Sequence, residues 1–575
     1  MSSVIGKKKG NRTYYYVATS GRVDGNSRIV KQTYLGTAER LQQLVQDKAA
    51  PIPLQASALE LGLPGALWQA AQRCGAFQAL LRLWPQPRSG PAPAHYLLLA
   101  AIHRICAPGP KTTVADWYQA SILRPLWGFA PQRFRSQDFW DCFDRLDVSS
   151  GLAAAAHDDL ERAQSALLEA FRAKHLLSQC VLAYDTTNFH TWIASSNERC
   201  ELPQRGHNKQ KRHDLRQVGL SYALDGSSGL ALCHHLYPGN LSDSAALPAA
   251  LQRIGRMLDT AGIARETVTL VLDKGSAALA NTLELQAHGL GWVSALPWNQ
   301  APPELRELPD SELSPAGPEQ PGVRAAARTA HVHGAEYLCV LQHSSAFAVE
   351  QLHSTTAALT KATQRLRRLA KELAKPSARY TERGLQRRLQ RYLGADFVAR
   401  LLSCELAEEG GRWRLRFQLD PSGLQRLLAE RFGRTVLVTN RRDWSAAQVV
   451  QAYSGQQHVE RVFRGLKGGH WLDWGPMHHW TDDKIRVHAF TCMLGVSLLQ
   501  QVRQRAAQVW PDLSMEELKQ QLAGIQQVEL LYPRQGQKGP PRVVSIASKQ
   551  NLAQQALVQA LDLEELIGSL SKPLG

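Results

Sequence analysis

Apolar positions recur most regularly in the last third of the chain. Val449, Val450 and Tyr453 fall at helical spacing, and Val459, Phe463 and Leu466 continue the pattern about two turns later. This predicts one amphipathic helix from about Ser445 to Lys467. Tyr453, Glu460 and Lys467 are seven apart and fall near one face of it, drifting about 20° per step. At the other end of the chain the period is short. Thr13–Ala18 and Arg28–Tyr34 are β-rich runs with Asp24-Gly25 in the loop between them, which predicts a small hairpin. From about Ser57 to Leu177 the pattern is helical, with one stripe at Leu61, Leu63, Leu67, Trp68 and Ala71 and another from Tyr96 to Ile105. Trp117, Tyr118 and Trp127 in this stretch are expected in its core.

The middle of the chain alternates strands and helices. Gln179–Tyr184 is an apolar run that stops at Asp185-Thr186-Thr187. Gln217–Leu224 and Leu230–Tyr237 follow, with Asp225-Gly226 in their connection, a strong hairpin signal. A helix is predicted from Asp243 to Leu258. Thr267–Leu272 is a buried strand that stops at Asp273, and after another helix Trp292–Leu296 is a fifth strand. The order is β-β-β-α-β-α-β. Right-handed crossovers allow the fourth strand to lie beside the first. Asp185 and Asp273 would then emerge from the carboxyl ends of neighbouring strands, where α/β sheets place their sites.

Between Asn299 and Arg434 the rhythm breaks. Pro- and Glu-rich text leads to strands near Ala335–Gln342. A basic helical pair follows, with Leu366, Leu369 and Leu373 in one stripe and Leu385 and Leu389 in the other. A hairpin turns at Glu408–Gly411, and Thr435–Thr439 is a last apolar strand before the Glu460 helix. These changes predict six segments. Residues 1–50 form a small β-rich unit and 51–177 a helical DNA-binding region. Residues 178–298 and 435–512 form the two parts of one core, interrupted by an α+β insertion domain at 299–434. Residues 513–575 form a helical, Gln-rich tail, expected to make a subunit contact.

Composition narrows the class. A 575-residue chain is too long for a single core. Lys and Arg number 67 against 50 Asp and Glu, so the net charge of +17 favours a polyanionic partner, most simply nucleic acid. Nine scattered Cys with no C-x-x-C pair argue against a disulfide framework or a structural zinc site and suit a reducing cytoplasm. Lys7-Lys8-Lys9 is followed by Gly and Asn rather than an apolar run, so no signal peptide is expected. The apolar run at Tyr96–Ile102 is far short of a membrane span.

Phosphodiester transfer needs an activated attacking oxygen and a stabilised leaving oxyanion, and two divalent ions about 3.5–4 Å apart supply both. Hard ions such as Mg²⁺ take oxygen ligands. Asp185, Asp273 and Glu460 offer a carboxylate from each of two strand ends and one helix. Clustered acids repel one another unless a cation is present, so an acidic pocket in a basic protein suits metal binding.

These residues resemble the DDE transposases of bacterial insertion sequences, in the insertion-sequence-four-type group of the ribonuclease H-like superfamily. Ala183-Tyr-Asp185-Thr-Thr187 matches the family's first Asp and Leu270-Val-Leu-Asp273-Lys-Gly275 its second. Tyr453, Glu460 and Lys467 match its Tyr-x2-Arg-x3-Glu-x6-Lys hallmark, with Gln456 where Arg is usual. Gly206–Gln217, Tyr237-Pro-Gly-Asn240-Leu-Ser-Asp243 and Val438–Arg441 also resemble family text, and the likeness covers roughly residues 95 to 500.

The resemblance implies a ribonuclease H-like core with an insertion domain and two Mg²⁺ (or Mn²⁺) ions held by Asp185, Asp273 and Glu460. It implies cut-and-paste transposition: nicking at the element's end, hairpin formation and opening, and joining of the 3′ ends to target DNA. The expected partners are double-stranded DNA, as inverted-repeat ends and target, and a second copy of the chain. Tyr453 and Lys467 are expected at DNA phosphates by match, with Gln456 in the place of the usual Arg. Lys209, Arg212 and Arg464 are expected on the DNA backbone by charge, and Trp298 on a flipped base. Two other readings remain open: a silent DNA-binding derivative, and a metal nuclease without strand transfer.

Overall fold

A computed structural model describes residues 2–10, 12–23, 26–37, 53–148, 158–177, 181–207, 212–273, 279–375, 379–469, 471–475, 477–532 and 542–570. The chain divides into two compact units. One is Met1–Val268 with Gly455–Gly575, and the other is Thr269–Ser454.

The first unit opens on an antiparallel meander of Ser2–Lys9, Arg12–Val23 and Asn26–Thr37, one strand more than the expected hairpin. The lysine-rich first strand lacks the apolar alternation that would announce it. The Asp24-Gly25 loop lies outside the described residues. Val17 and Leu35 of the meander pack against Val528, Leu530 and Tyr532 near the other end of the chain. The Gln526–Tyr532 strand lies between Gln55–Glu60 and Arg542–Ala547, antiparallel to both. Two expectations are corrected here. Gln55–Glu60 is a strand, not the start of a helical run, and the C-terminal stretch is not wholly helical. Its text is Gln-rich, but the alternation in Gln-Gln-Val-Glu-Leu-Leu-Tyr suits a half-buried strand, and strand partners far away in sequence override local helix preference.

Helices form the rest of this face. Pro93–Cys106 is buried almost all round, as a helix apolar on every side must be, and it packs against the long Asp482–Val509 helix. Tyr118 is fully buried and Trp117 nearly so. Asp158, 4% exposed, caps the Asp159–Ala173 helix and pairs with Arg486 and, at 3.5 Å, with Arg253. Arg253 in turn reaches Glu161 at 2.5 Å. This buried ion cluster ties three helices, those at Asp159–Ala173, Asp243–Thr260 and Asp482–Val509. The strands Val181–His190, Gln217–Asp225 and Ala231–Pro238 pair antiparallel, with Asp185 opposite Tyr222 and Ser221 opposite His235. The middle strand is buried along its whole length.

The second unit holds a sheet in the order Ser314–Pro315, Val323–Val332, Ala335–Ser344, Arg434–Thr439, Gly291–Leu296, Thr269–Leu272. The last two run parallel and the others antiparallel. Three strands inside residues 299–434, Ser314–Pro315, Val323–Val332 and Ala335–Ser344, thus continue the sheet that contains Arg434–Thr439. A separate core forms from Leu359 to Phe432, around Leu366, Leu369, Leu385 and Val398. Arg365, Arg367, Arg368 and Lys371 stand exposed on its outside. Along the chain the elements from Val181 to Leu296 follow the predicted β-β-β-α-β-α-β order, and the protein is a mixed α/β chain.

Candidate active site

Asp185 occupies the fifth position of the Val181–His190 strand, just after the buried run Leu182-Ala-Tyr184. It is half-buried, and its Oδ1 accepts the Thr186 N–H at 2.7 Å. The Gln456–Gly468 helix packs against this strand. Its buried face is Gln456, Val459, Val462, Phe463, Gly465 and Leu466, and its outer face carries Glu460, Arg464 and Lys467, all exposed. Gly465 makes room for the Trp471 ring, since a Cβ there would lie 2.4 Å from it.

Gln456 corrects an expectation. Its side chain is 5% exposed, and its Nε2 donates to the Tyr184 carbonyl at 2.9 Å. A buried amide spent on the backbone does not reach a DNA phosphate. It ties the helix to the strand instead, with Asp185 next in sequence on one side of the bond and Glu460 one turn along the helix on the other.

The predicted single helix is also corrected. It is two helices, Ala446–Ser454 and Gln456–Gly468, with a break at Gly455, and the break falls at the boundary of the two units. Glycine is a weak helix former. Gly226 is a neighbour here: a Cβ on it would lie 3.9 Å from the Gly455 Cα, an ordinary contact. Tyr453, half-buried, therefore belongs to the second unit and Glu460 to the first.

Asp273 follows the Thr269–Leu272 strand of the second unit and is exposed; its backbone carbonyl accepts the Ser294 hydroxyl at 3.2 Å. The next residues, Lys274 to Ala278, lie outside the described residues. Among the described residues no three His, Cys, Asp or Glu side chains are grouped closely enough to hold a metal ion. In donor type the three acids do fit a hard divalent ion, which takes carboxylate oxygens and tolerates solvent-facing ligands.

Beside Asp185 lies a cavity of about 360 Å³ that sequence reasoning missed. Thr186, Thr187 and Asn188 line one side, and His207, Asn240 and Lys467 lie around the rest. Two loops are clamped at its edge by Gln217, fully buried, whose Nε2 donates to the Gly239 carbonyl at 2.7 Å and the His207 carbonyl at 3.2 Å. A Cβ on Gly239 would lie 1.9 Å from the Gln217 carbonyl, so only glycine fits. The Tyr237-Pro-Gly-Asn240 text was the available signal. Lys467 Nζ lies 5.7 Å over the Phe189 ring, which stacks on Trp474 at 4.2 Å.

The remaining expected DNA contacts are scattered. Arg212 is paired with Asp214 at 2.8 Å and lies 5.6 Å from the centre of the Trp192 ring. Lys209 lies outside the described residues. Trp298 is half-buried, with the Arg431 guanidinium 4.4 Å from its ring centre. Burial and the neighbouring Arg400 lower the Arg431 pKa from its usual value. Trp298 lines a cleft of about 430 Å³ with Arg306, Arg400, Arg426 and Arg431, all within the second unit.

A family model described as "Transposase DDE domain" matches residues 177–498, more than half of the chain. The chain belongs to the transposase DDE domain family. The matched span of this DDE-family chain includes Asp185, Asp273 and Glu460. No curated protein matches it. Among solved structures it is similar to a piggyBac transposase synaptic complex with hairpin DNA. That likeness covers 82% of each chain, at 8% identity and a TM-score of 0.34. Among the described residues, no helix of this DDE-family chain is long and apolar enough to cross a membrane.

Proposed function

We propose that the chain is a metal-dependent DNA transposase of the insertion-sequence-four type, with a ribonuclease H-like core, that excises an element in the bacterial cytoplasm and joins its ends to target DNA. The observation that carries this is the hydrogen bond from Gln456 to Tyr184, inside the family-matched span, which fixes the Glu460 helix on the Asp185 strand. Asp185, Asp273 and Glu460 would hold two Mg²⁺ or Mn²⁺ ions. Bound as a pair, such ions polarise the phosphate and stabilise the charge on attacking and leaving oxygens.

The rest falls to the chain's own side chains. Arg464 and Lys467 share the outer face of the helix with Glu460, so they offer cations to phosphates beside the reacting one. Tyr453 adds a hydroxyl for a further phosphate. The exposed arginines of the Leu359–Phe432 core add sequence-independent grip on double-stranded DNA. In this reading two copies of the chain hold paired ends, the freed 3′-OH attacks the opposite strand and expels the 3′-oxygen of the flanking DNA to close a hairpin, and water reopens the hairpin so that the regenerated 3′-OH can join target DNA.

The test uses the full-length chain and a duplex bearing the inverted-repeat end from the DNA flanking its gene. Mg²⁺-dependent nicking is expected. Asp185→Ala, Asp273→Ala and Glu460→Ala should each abolish it while binding in a mobility-shift assay persists. Nicking that survives any one of the three replacements removes that acid from the site. Nicking with no target joining reduces the protein to a nuclease.

A further inference from the structure

Fourteen tryptophans occur in the sequence, and among the described residues two are exposed, Trp192 at 49% and Trp480 at 58%. Large aromatic surface left in water marks a binding surface more often than an isolated exposed aliphatic does. These rings are not carried on loose chain. The Trp192 N–H donates to the Met477 carbonyl at 2.9 Å, and Asn197 Nδ2 donates to the Trp480 carbonyl at 3.1 Å. The Glu201 and Leu202 amides donate to the Asp482 carboxylate at 2.8 and 3.1 Å. Asn197 is 5% exposed and Asp482 9% exposed, so buried polar groups lace together the two segments that present the rings.

The surroundings select the partner. Among the described residues, 191–207 and 212–216 carry four Arg against three Asp and Glu. Arg199 and Arg205 are exposed beside Glu198 and Glu201, and Arg212 lies over Trp192. Exposed indoles among guanidinium groups match bases on phosphate, because every base offers a flat π-face and every nucleotide a negative charge. A paired duplex hides its base faces, so the partner must have unpaired bases.

We infer that Trp192 and Trp480 form a stacking platform for unpaired nucleotides. Its place relative to the reaction rests on the reading of Asp185 given above. Trp192 is seven residues from Asp185, so the two are at most about 25 Å apart. One DNA strand advances about 3.4 Å per nucleotide, which puts the stacked base within roughly seven nucleotides of the reacting phosphate. Single-stranded or melted DNA at the element's end is the substrate state this platform favours.

The experiment measures fluorescence anisotropy of the full-length chain with a labelled short oligothymidine and with a labelled blunt duplex of mixed sequence. Trp192→Ala and Trp480→Ala should each weaken oligothymidine binding about 5- to 100-fold, with about threefold or less on the duplex. Trp192→Phe and Trp480→Phe keep a ring and should restore most of the affinity, which separates stacking from misfolding. Equal losses on both probes, or no loss on oligothymidine, overturn the platform. So does a change in oligomeric state by light scattering with oligothymidine affinity unchanged, since another copy of the chain would then be the partner. If the rings govern oligothymidine binding but no Mg²⁺-dependent nicking occurs, the platform stands and the transposase reading fails.

Discussion

Replacing Gln456 tests the arrangement of the candidate site most directly. In Gln456→Ala the helix loses its bond to the strand, and the Tyr184 carbonyl loses that donor. A net hydrogen bond is worth about 0.5–1.5 kcal/mol, and a buried group left unsatisfied costs about 1–3 kcal/mol, so the expected destabilisation is about 1–3 kcal/mol. That corresponds to a fall in Tm of roughly 2–6 °C. The functional effect should be larger than the loss of stability. Glu460 follows Gln456 by one turn and Asp185 follows Tyr184 directly, so a slackened tie moves one carboxylate against the other. A displacement near 1 Å costs up to about a hundredfold in a positioned reaction. Nicking at saturating DNA should therefore slow about 10- to 100-fold, with DNA affinity within about twofold of the parent. Gln456→Arg would bury a guanidinium where only a carbonyl faces it, and should destabilise at least as much. The assays are thermal melting and single-turnover nicking across a Mg²⁺ series. If Gln456→Ala melts and nicks like the parent, the tie positions nothing. If it loses DNA binding as much as nicking, Gln456 is a DNA contact after all.

Other outcomes follow from described features. Asp158→Ala leaves Arg253 and Arg486 without their shared buried partner and should cost about 3–5 kcal/mol, seen as a large fall in Tm; a change under about 1 kcal/mol would show that water already reaches the cluster. Gly239→Ala places a Cβ on the Gln217 carbonyl and should lower both Tm and nicking, whereas Gly262→Ala, with open space around it but a left-handed backbone, should lower Tm by much less. Burial holds the His95 and His103 pKa values down at about 4, below the unfolded value near 6.5. The unfolded chain therefore binds more protons, and stability should fall as the pH drops from about 6.5 to 4; a flat melting profile across that window would contradict it. Burial pushes the Cys233 and Cys492 thiols up to about 12, so neither should react with iodoacetamide at neutral pH until the chain is unfolded, as peptide mapping would show.

The sequence announced some of these features through local grammar and hid others in long-range partners. The place of Asp273 was legible because it follows an apolar run that stops where its strand stops, whereas Asp185, expected at a strand end, lies in the middle of Val181–His190, whose polar second half the apolar pattern did not announce. The burial of Gln456 was legible too, since Gln456, Val459 and Phe463 share one helical face; the expectation of a phosphate contact followed the family pattern instead of that periodicity. The break at Gly455 was not legible. The apolar stripe runs through it, and Gly455 keeps helical angles of φ −58° and ψ −23°. The Gln456 bond to Tyr184, made just after the break, was the feature no local pattern announced. The Gln526–Tyr532 strand was hidden for the same kind of reason. Its partner Gln55–Glu60 comes from the far end of the sequence, so no window of local text contains the pair. The cavity at Asn188, Asn240 and Lys467 collects three distant segments, and of these only the Pro-Gly turn left a trace.

The strand at Gln526–Tyr532 sets a schedule for biosynthesis. Residues 55–60 wait for a central neighbour that leaves the ribosome some 466 residues later, counted from Glu60 to Gln526. At roughly 5–20 residues per second that delay is about 25–90 s. During it the apolar side of Gln55–Glu60 and the face of Val17 and Leu35 lack the Val528, Leu530 and Tyr532 cover they have in the finished protein. A nascent or prematurely terminated product would present an open β edge to chaperones and proteases. Completion of the sheet therefore works as a check that translation has passed residue 532.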